Sequence, residues 1–365
     1  MASNKQIIYA NPPSPAINPS LTNGTFKLTT TNIPSADHDL PSDKLLVRAH
    51  YLSLDPAMRQ WLTAKRSYIA PVEVDSVMRG QSIAQVLAVG SSQNLRSSYK
   101  PGDWVVAYSG WQEHAVLSAK DVQKIHTPAG ARPTDALSVL GTTGLTAYFG
   151  MTDIGRPRAG ETVVVSGAAG ATGLVAGQIA RVLGAKRVVG IAGGREKCEF
   201  LVRAGEAGGG GFDAAVDYKD PEWRKKLKEV TPDYVDVFFD NVGGDILEAV
   251  LGRAARGARF VICGAISQYN SARPQGPATF MNVISQRVTM KGFIVFDYAK
   301  QYPAALQELG AWLAQGKIKR KEFIVPGGLE AAPQGLVDLY QGANTGKMMV
   351  EVAPLSEALG DKSRL

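Results

Sequence analysis

Residues that bind metals or form disulfides are scarce in this sequence. Its 365 residues include two cysteines, Cys198 and Cys263, and four histidines, at positions 38, 50, 114 and 126. The cysteines are far apart and not in C-x-x-C spacing, so the sequence predicts neither a disulfide framework nor a four-cysteine zinc site. A catalytic Cys/His/Glu site cannot be assembled convincingly either. We therefore expect no metal, a reducing compartment, and histidines that are ordinary core or surface residues.

Long apolar runs and clusters of like charge are also missing. No apolar run is long enough to span a membrane, and the first six residues lack the basic and then apolar pattern of a signal peptide. The net charge is +7, but the basic residues are scattered, so no nucleic-acid partner is predicted. We expect a soluble cytoplasmic protein. The last residues, Ser363-Arg364-Leu365, are a variant of the S-K-L peroxisomal address, which keeps a peroxisomal location open.

The length of the chain and the order of its apolar patterns predict two domains. Up to about residue 130, short β-rich segments are separated by proline and glycine, which is typical of a partly open β-barrel. Strands and helices then alternate, which predicts an α/β domain with a doubly wound parallel sheet. We therefore predict a catalytic domain of residues 1–134 and 311–365, with an α/β domain of residues 135–310 inserted between them.

A glycine-rich turn is the main functional signal. The apolar run Val163-Val-Val165 is followed by Gly167, Gly170 and Gly173, and then by a helical pattern. Glycines at this spacing let the backbone turn sharply and approach a pyrophosphate, which the N–H groups at the start of the helix would bind. The turn therefore predicts a dinucleotide site. A tight strand-to-helix turn that binds no ligand is the alternative.

The end of the next predicted strand indicates which nucleotide binds. An NAD enzyme places an Asp or Glu there to accept hydrogen bonds from the ribose hydroxyls. This chain instead has Ala192, Gly193 and Gly194, followed by the cations Arg195 and Lys197. Cations attract a 2′-phosphate that a carboxylate would repel, so the sequence predicts NADPH rather than NADH. Ordinary solvated charge at a helix start is the alternative for these two cations.

A site without metal needs another donor for the substrate oxygen. In hydride transfer, the protein has to position the acceptor and stabilise the oxygen on which negative charge develops. Tyrosine suits this role because it stays protonated at neutral pH. Tyr269 follows a predicted strand that ends at Cys263, and ligands of open α/β sheets bind at the carboxyl ends of the strands. Tyr269 is therefore the candidate catalytic residue, with a surface-loop tyrosine as the alternative.

Several longer motifs resemble those of one family. They are Tyr51-Leu-Ser-Leu-Asp-Pro-Ala-Met-Arg, Ser166-Gly-Ala-Ala-Gly-Ala-Thr-Gly, Phe239-Asp-Asn-Val-Gly-Gly, Cys263-Gly-Ala-Ile-Ser-Gln-Tyr-Asn and Gly342-Ala-Asn-Thr-Gly-Lys. The chain resembles, from about residue 44 to residue 352, the zinc-independent medium-chain dehydrogenases/reductases of the leukotriene B4 dehydrogenase, prostaglandin reductase and alkenal/one double-bond reductase group. The resemblance implies a GroES-like catalytic domain, a Rossmann domain, NADPH as cofactor and a homodimer.

The resemblance also implies roles for individual residues. Tyr269 would lie over the substrate oxygen, while Lys197 and Tyr218 would hold the 2′-phosphate. The full set of cofactor-binding residues that we expect is Gly167, Ala168, Gly170, Ala171, Thr172, Gly173, Gly194, Lys197, Tyr218, Asn241, Cys263, Ala265, Ile266, Phe293, Ile294, Val295 and Asn344.

Three departures from the family pattern concern the substrate pocket and a loop. Ala57 stands where many members have tyrosine, so a second phenol is missing and the mouth is expected to be wider. Thr142 and Thr143 replace the usual Met-Pro, which makes that wall of the pocket more polar. The glycine run at residues 208–211 looks like an insertion.

The resemblance, together with these residues, implies an NADPH-dependent ene-reductase that reduces the C=C bond of an α,β-unsaturated ketone or aldehyde. A detoxifying role and the tailoring of a secondary metabolite fit equally well. A quinone reductase and a non-catalytic NADPH-binding protein are the alternatives that remain open.

Overall fold

The computed structural model describes residues 3–33, 35, 40–126, 128, 130–203 and 209–358. His38, Gly208 and the predicted address Ser363-Arg364-Leu365 lie outside these residues. The chain divides into two units: Met1–Leu137 together with Phe323–Leu365, and Ser138–Glu322. The second unit extends beyond the predicted residue 310 because the helix Tyr302–Ala314 packs against its hydrophobic core.

The strands of the described residues are β1 (Ser3–Tyr9), β2 (Phe26–Asn32), β3 (Lys44–Ser53), β4 (Ser82–Val89), β5 (Trp104–Ala107), β6 (His114–Ser118), β7 (Val122–Lys124), β8 (Thr162–Ser166), β9 (Arg187–Ala192), β10 (Ala214–Asp217), β11 (Val235–Asp240), β12 (Ala254–Ile262), β13 (Thr289–Gly292), β14 (Glu322–Val325) and β15 (Lys347–Glu351).

The α-helices of the same residues are α1 (Met58–Trp61), α2 (Gln93–Ser98), α3 (Thr142–Phe149), α4 (Ala171–Val182), α5 (Arg195–Val202), α6 (Trp223–Val230), α7 (Gly244–Leu251), α8 (Met281–Ser285), α9 (Tyr302–Ala314) and α10 (Ala332–Gln341).

The first unit is built on a curled sheet. Its strands run in the order β14-β15-β3-β4-β5-β7, and β6 also pairs with β3. The register between β3 and β4 shifts between Leu46 and Val47 and again between Ala49 and Tyr51. Such irregularities bend and twist a strand, which allows the sheet to curl around its own apolar face. This sheet confirms the predicted partly open barrel.

The second unit is a six-stranded sheet in the order β10-β9-β8-β11-β12-β13, and its neighbouring strands are parallel. In β8, Val163 and Val165 lie in one hydrophobic cluster and Val164 lies in another, and all three are fully buried. Side chains on successive strand residues point to opposite faces, so the uninterrupted valine run is explained by helices that cover both faces. The predicted doubly wound sheet is confirmed.

The order of the strands places a crevice at the carboxyl end of β8. The chain passes from β8 to β9 on one side, whereas β11 lies on the other side of β8. Ligands of open α/β sheets bind where the strand order reverses in this way.

The apolar patterns of residues 137–151 and 246–255 each predict a helix, and the structure differs from both predictions. The helix predicted for residues 246–255 ends at Leu251, and Ala254 already begins β12. The broken helix predicted for residues 137–151 is α3, which continues into a π-helical turn at Gly150–Gly155. Within the described ranges, none of the helices is long and apolar enough to cross a membrane.

Candidate active site

The glycine-rich turn joins β8 to α4 at this crevice. Gly167 has a φ of +56°, a left-handed conformation that favours glycine. A Cβ atom on Gly173 would lie 2.3 Å from the carbonyl oxygen of Gly167, so a side chain there would prevent the close turn. Gly170 precedes α4, and no side chain among the described residues caps this helix. Its first N–H groups therefore fit the phosphate of a dinucleotide.

The remaining predicted residues of the turn are Ala168, Ala171 and Thr172. Ala168 is fully buried in the core of the second unit. Ala171 and Thr172 form the first turn of α4, where their backbone N–H groups lack intrahelical acceptors. The amide of Ala168 donates to the carbonyl oxygen of Ile191 over 3.1 Å, so only Ala171 and Thr172 offer N–H groups suited to an anion.

A buried carboxylate joins the turn to the neighbouring strand. The hydroxyl of Ser166 donates a hydrogen bond to Asp240 Oδ1 over 2.7 Å, and the amides of Val242 and Gly243 donate to the same oxygen over 2.9 and 3.1 Å. Burial raises the pKa of Asp240, while these hydrogen bonds act in the opposite direction. The carboxylate ties the ends of β8 and β11 together.

Asn241 completes this connection. Its side-chain amide donates to the carbonyl oxygen of Ser166 over 2.7 Å, and its backbone amide donates to Ser166 Oγ over 2.8 Å. The expected groove residue therefore lies directly beside the turn. Sequence reasoning missed both Ser166 and Asp240. For Asp240 a signal was present, because an acidic residue that directly follows apolar residues at the end of a strand indicates a buried carboxylate with a specific partner.

The loops that follow β9 and β10 form the part of the candidate site farther along the sheet from the glycine turn. The carboxylate of Asp217 accepts hydrogen bonds from the amide of Gly194 over 2.8 Å and from the amide of Lys219 over 3.0 Å. A Cβ atom on Gly193 would lie 2.8 Å from the hydroxyl of Tyr218, so this phenol lies across the glycine. Gly194 and Tyr218, both predicted cofactor residues, are thus held at one place.

Two lysines contribute positive charge at this part of the site. Lys197 lies in the first turn of α5, and burial together with the positive charge of Lys219 lowers its pKa. Arg195, in contrast, is exposed and pairs with Glu199 over 2.6 Å. Sequence reasoning missed Lys219, because a lysine in a turn belongs to no recognisable sequence pattern. In the structure it follows Tyr218 and lies close enough to Lys197 to lower the pKa of that lysine.

The segment after β12 carries Tyr269. The amides of Cys263 and Gly264 both donate to the carbonyl oxygen of Asp240, over 2.9 and 3.0 Å. The amide of Ala265 donates to the hydroxyl of Tyr269 over 3.1 Å. Burial of the thiol and the charge of Asp240 raise the pKa of Cys263 to about 12, so the thiol is protonated and is not a nucleophile at neutral pH.

Residues 293–295 follow β13 at the same edge of the sheet. Val295 is buried in the core, and Phe293 packs edge-to-face against Tyr298 with ring centroids 6.3 Å apart. Ile294 connects them in an extended conformation. Together with Ile266, which begins a 3₁₀ turn after β12, these residues lie where adjacent parallel strands end.

Each of the remaining expected residues can be located within its own unit. Thr142 and Thr143 begin α3 in the second unit, and the Thr143 hydroxyl donates to the carbonyl oxygen of Ser138 over 2.8 Å. Ala57 precedes α1 in the first unit. Asn344, also in the first unit, is buried, and its side-chain amide donates to the carbonyl oxygen of Gly346 over 2.6 Å.

Possible metal ligands do not come together. Among the residues that the structure describes, no group of three or more His, Cys, Asp or Glu side chains is placed to hold a metal ion. His50 and His114 lie near each other in the first unit, and burial lowers the pKa of both.

The curled sheet of the first unit and the glycine-turn crevice of the second are features of a two-unit oxidoreductase. The comparison with known families identifies the same class of protein. Residues 6–125 match the family described as the N-terminal domain of oxidoreductase, and residues 171–311 match the family described as zinc-binding dehydrogenase.

Individual relatives narrow this class. The putative NADP-dependent oxidoreductase YfmJ of Bacillus subtilis is 42% identical over 85% of this chain and 88% of that protein. The NADP(+)-dependent 2-alkenal reductase of Nicotiana tabacum is 36% identical over 96% of this chain and 98% of that protein. The structure of CurA from Vibrio vulnificus in complex with NADPH superposes with a TM-score of 0.85 and 38% identity, covering 96% of this chain and 99% of that one.

The chain belongs to the medium-chain dehydrogenase/reductase family, in its group of NADP-dependent reductases, which confirms the resemblance predicted from the motifs.

Proposed function

We propose that this protein is an NADPH-dependent ene-reductase that reduces the C=C bond of an α,β-unsaturated ketone or aldehyde. The observation that carries the proposal is Tyr269, a phenol whose hydroxyl is held by the Ala265 amide at the carboxyl edge of the parallel sheet. The 2-alkenal reductase among the relatives supports the same class of substrate.

The second unit offers the groups that an NADPH molecule requires. The glycine turn and the N-terminus of α4 would hold the pyrophosphate, and Lys197, Lys219 and Tyr218 would surround the 2′-phosphate. Asn241 would line the groove between them. Cys263, Ala265, Ile266 and residues 293–295 would flank the nicotinamide. We propose this unit, which also carries Tyr269, as the cofactor domain and the first unit as the substrate domain.

When bound, NADPH would supply a hydride for the β-carbon of the substrate. The protein's own part is to stabilise the carbonyl oxygen as negative charge develops on it. Tyr269 would donate a hydrogen bond to that oxygen, and a tyrosine hydroxyl is protonated at neutral pH. Water would then supply the proton for the α-carbon. Thr142 and Thr143 would make one wall of the pocket more polar.

A matched pair of substrates tests the proposal. Oxidation of NADPH should be faster with a simple aliphatic enone than with a small quinone of similar size. Faster turnover of the quinone would favour the quinone reductase alternative. Binding of NADPH without its consumption across a broad panel of enones and enals would favour a non-catalytic NADPH-binding protein.

We also propose a homodimer formed by the edge of the six-stranded sheet. Within the described residues β13 is the last strand of this sheet, and the preceding segment exposes the large apolar side chains Phe280, Met281 and Ile284. A second copy would pair the strand edge and cover these side chains. A mass measured by light scattering would distinguish a dimer from a monomer.

A further inference from the structure

The hydroxyl of Tyr269 lies against the backbone of its own loop. Its oxygen accepts the hydrogen bond from the Ala265 amide over 3.1 Å. A Cβ atom on Gly264 would lie 2.9 Å from the same oxygen, closer than real Cβ atoms come to their neighbours. The phenol oxygen therefore occupies space that a side chain at residue 264 would need.

The loop has little freedom to move away from this arrangement. The amide of Gly264 donates to the carbonyl oxygen of Asp240 over 3.0 Å, and the amide of Ile266 donates to that of Asn241 over 3.1 Å. A short 3₁₀ turn follows, and Tyr269 continues it with helical φ and ψ of −65° and −33°. A side chain at the end of a helical turn lies over the preceding turn, which brings the ring back toward the start of the loop.

We propose that Gly264 is a positioning residue for the reaction. Its missing side chain lets Tyr269 reach the Ala265 amide, and this contact directs the phenol hydrogen at the substrate oxygen. A hydroxyl that accepts a hydrogen bond uses a lone pair rather than its hydrogen. Linked hydrogen bonds polarise one another, so the bond from Ala265 makes the phenol a stronger donor. This role deepens the proposed function and rests on it.

The substitution Gly264→Ala tests the contact without a large penalty in folding. The φ of Gly264 lies outside the left-handed range, so alanine can adopt its backbone conformation. The new methyl group would crowd only the Tyr269 hydroxyl, at the far end of a side chain, and would lie in ordinary contact with the Asn241 carbonyl oxygen at 3.4 Å. We expect kcat for 3-penten-2-one to fall about 3- to 10-fold, because small displacements of a catalytic group are costly. The KM for NADPH should change less than about twofold.

A double-mutant cycle separates this role from a general effect on the pocket. Tyr269→Phe removes the oxygen that the methyl group would contact, so adding Gly264→Ala to that variant should cost no further activity. Gly292→Ala is the matched control, because its Cβ atom would meet only the carbonyl oxygen of Ile262, at 3.9 Å. The same loss from Gly264→Ala with and without the Tyr269 hydroxyl would overturn the proposal.

Thermal unfolding provides a readout that does not depend on catalysis. Replacing glycine by alanine stabilises a chain through its unfolded state, equally in both backgrounds. We therefore compare the change in Tm that Gly264→Ala causes in the two backgrounds. Because of the contact with the Tyr269 hydroxyl, this change should be about 2 °C less favourable in the wild-type background than in the Tyr269→Phe background. Full kcat in Tyr269→Phe would refute the catalytic role of the tyrosine, whereas strictly additive Tm values would refute the positioning role of Gly264.

Discussion

Ser166 and Asp240 join the carboxyl ends of two adjacent parallel strands through a hydrogen bond of 2.7 Å, and both residues are fully buried. The carboxylate of Asp240 also accepts hydrogen bonds from the backbone amides of Val242 and Gly243. The position of the glycine turn relative to the groove therefore depends on this pair.

Ser166→Ala should weaken both the fold and the nucleotide site. The substitution removes a donor from a buried carboxylate, which costs about 1 to 3 kcal/mol of the free energy of unfolding. It also releases Asn241 from the hydroxyl, so we expect a higher KM for NADPH and a smaller change in kcat. Urea unfolding and steady-state kinetics measure the two effects. An unchanged NADPH KM would show that the pair stabilises the sheet only.

Lys197→Ala should raise the KM for NADPH about 10-fold or more with little change in kcat, because a phosphate contact is equally strong in the ground and transition states. Lys219→Ala should act in the same direction. Arg195→Ala is the control, since Arg195 is exposed and pairs with Glu199. The KM for NADH should not rise in any of these variants. A native enzyme that prefers NADH would contradict this assignment.

Tyr269→Phe should lower kcat for an enone roughly 10- to 100-fold, because the phenol is expected to donate to the oxygen most strongly in the transition state. The ring is retained, so the affinity for NADPH should hardly change. Stopped-flow hydride transfer and NADPH titration measure the two quantities separately. Full activity in this variant would reduce Tyr269 to a wall of the pocket.

Activity should survive exhaustive treatment with a metal chelator, because the sequence does not provide a convincing set of zinc ligands. The measurement is the rate of enone reduction before and after dialysis against the chelator, with the metal content determined in parallel. Stoichiometric zinc that is lost together with activity would contradict this expectation.

The protein should lose stability as the pH falls from about 6.5 toward 4. Burial, with the positive charges of Arg48 and His50, lowers the pKa of His114 from 6.5 to about 4. Between these values the unfolded chain binds a proton that the folded chain does not, so the free energy of unfolding decreases as the solution becomes more acidic. Urea unfolding at several pH values measures the slope. His114→Gln should flatten it, and an equal slope in the variant would point to other groups.

The larger part of the fold could be predicted from local patterns. The Val163-Val-Val165 run predicted a strand, and the spacing of Gly167, Gly170 and Gly173 predicted the turn into a helix. These signals are local because periodicity and backbone conformation depend on neighbouring residues. The helix after residue 246 was predicted too long, since pairing of Ala254 with Val235 draws it into β12.

Local sequence patterns could not predict contacts between strands that are far apart in the chain. Ser166 meets Asp240, and Lys219 approaches Lys197, only because strand order places β8 beside β11 and β10 beside β9. The return of Tyr269 to the Ala265 amide depends on how the loop is anchored to the end of β11. The sequence by itself determined the two types of sheet, the glycine turn and the family. The tertiary structure decided which polar groups meet, because strand order and loop anchoring result from packing between residues far apart in the chain.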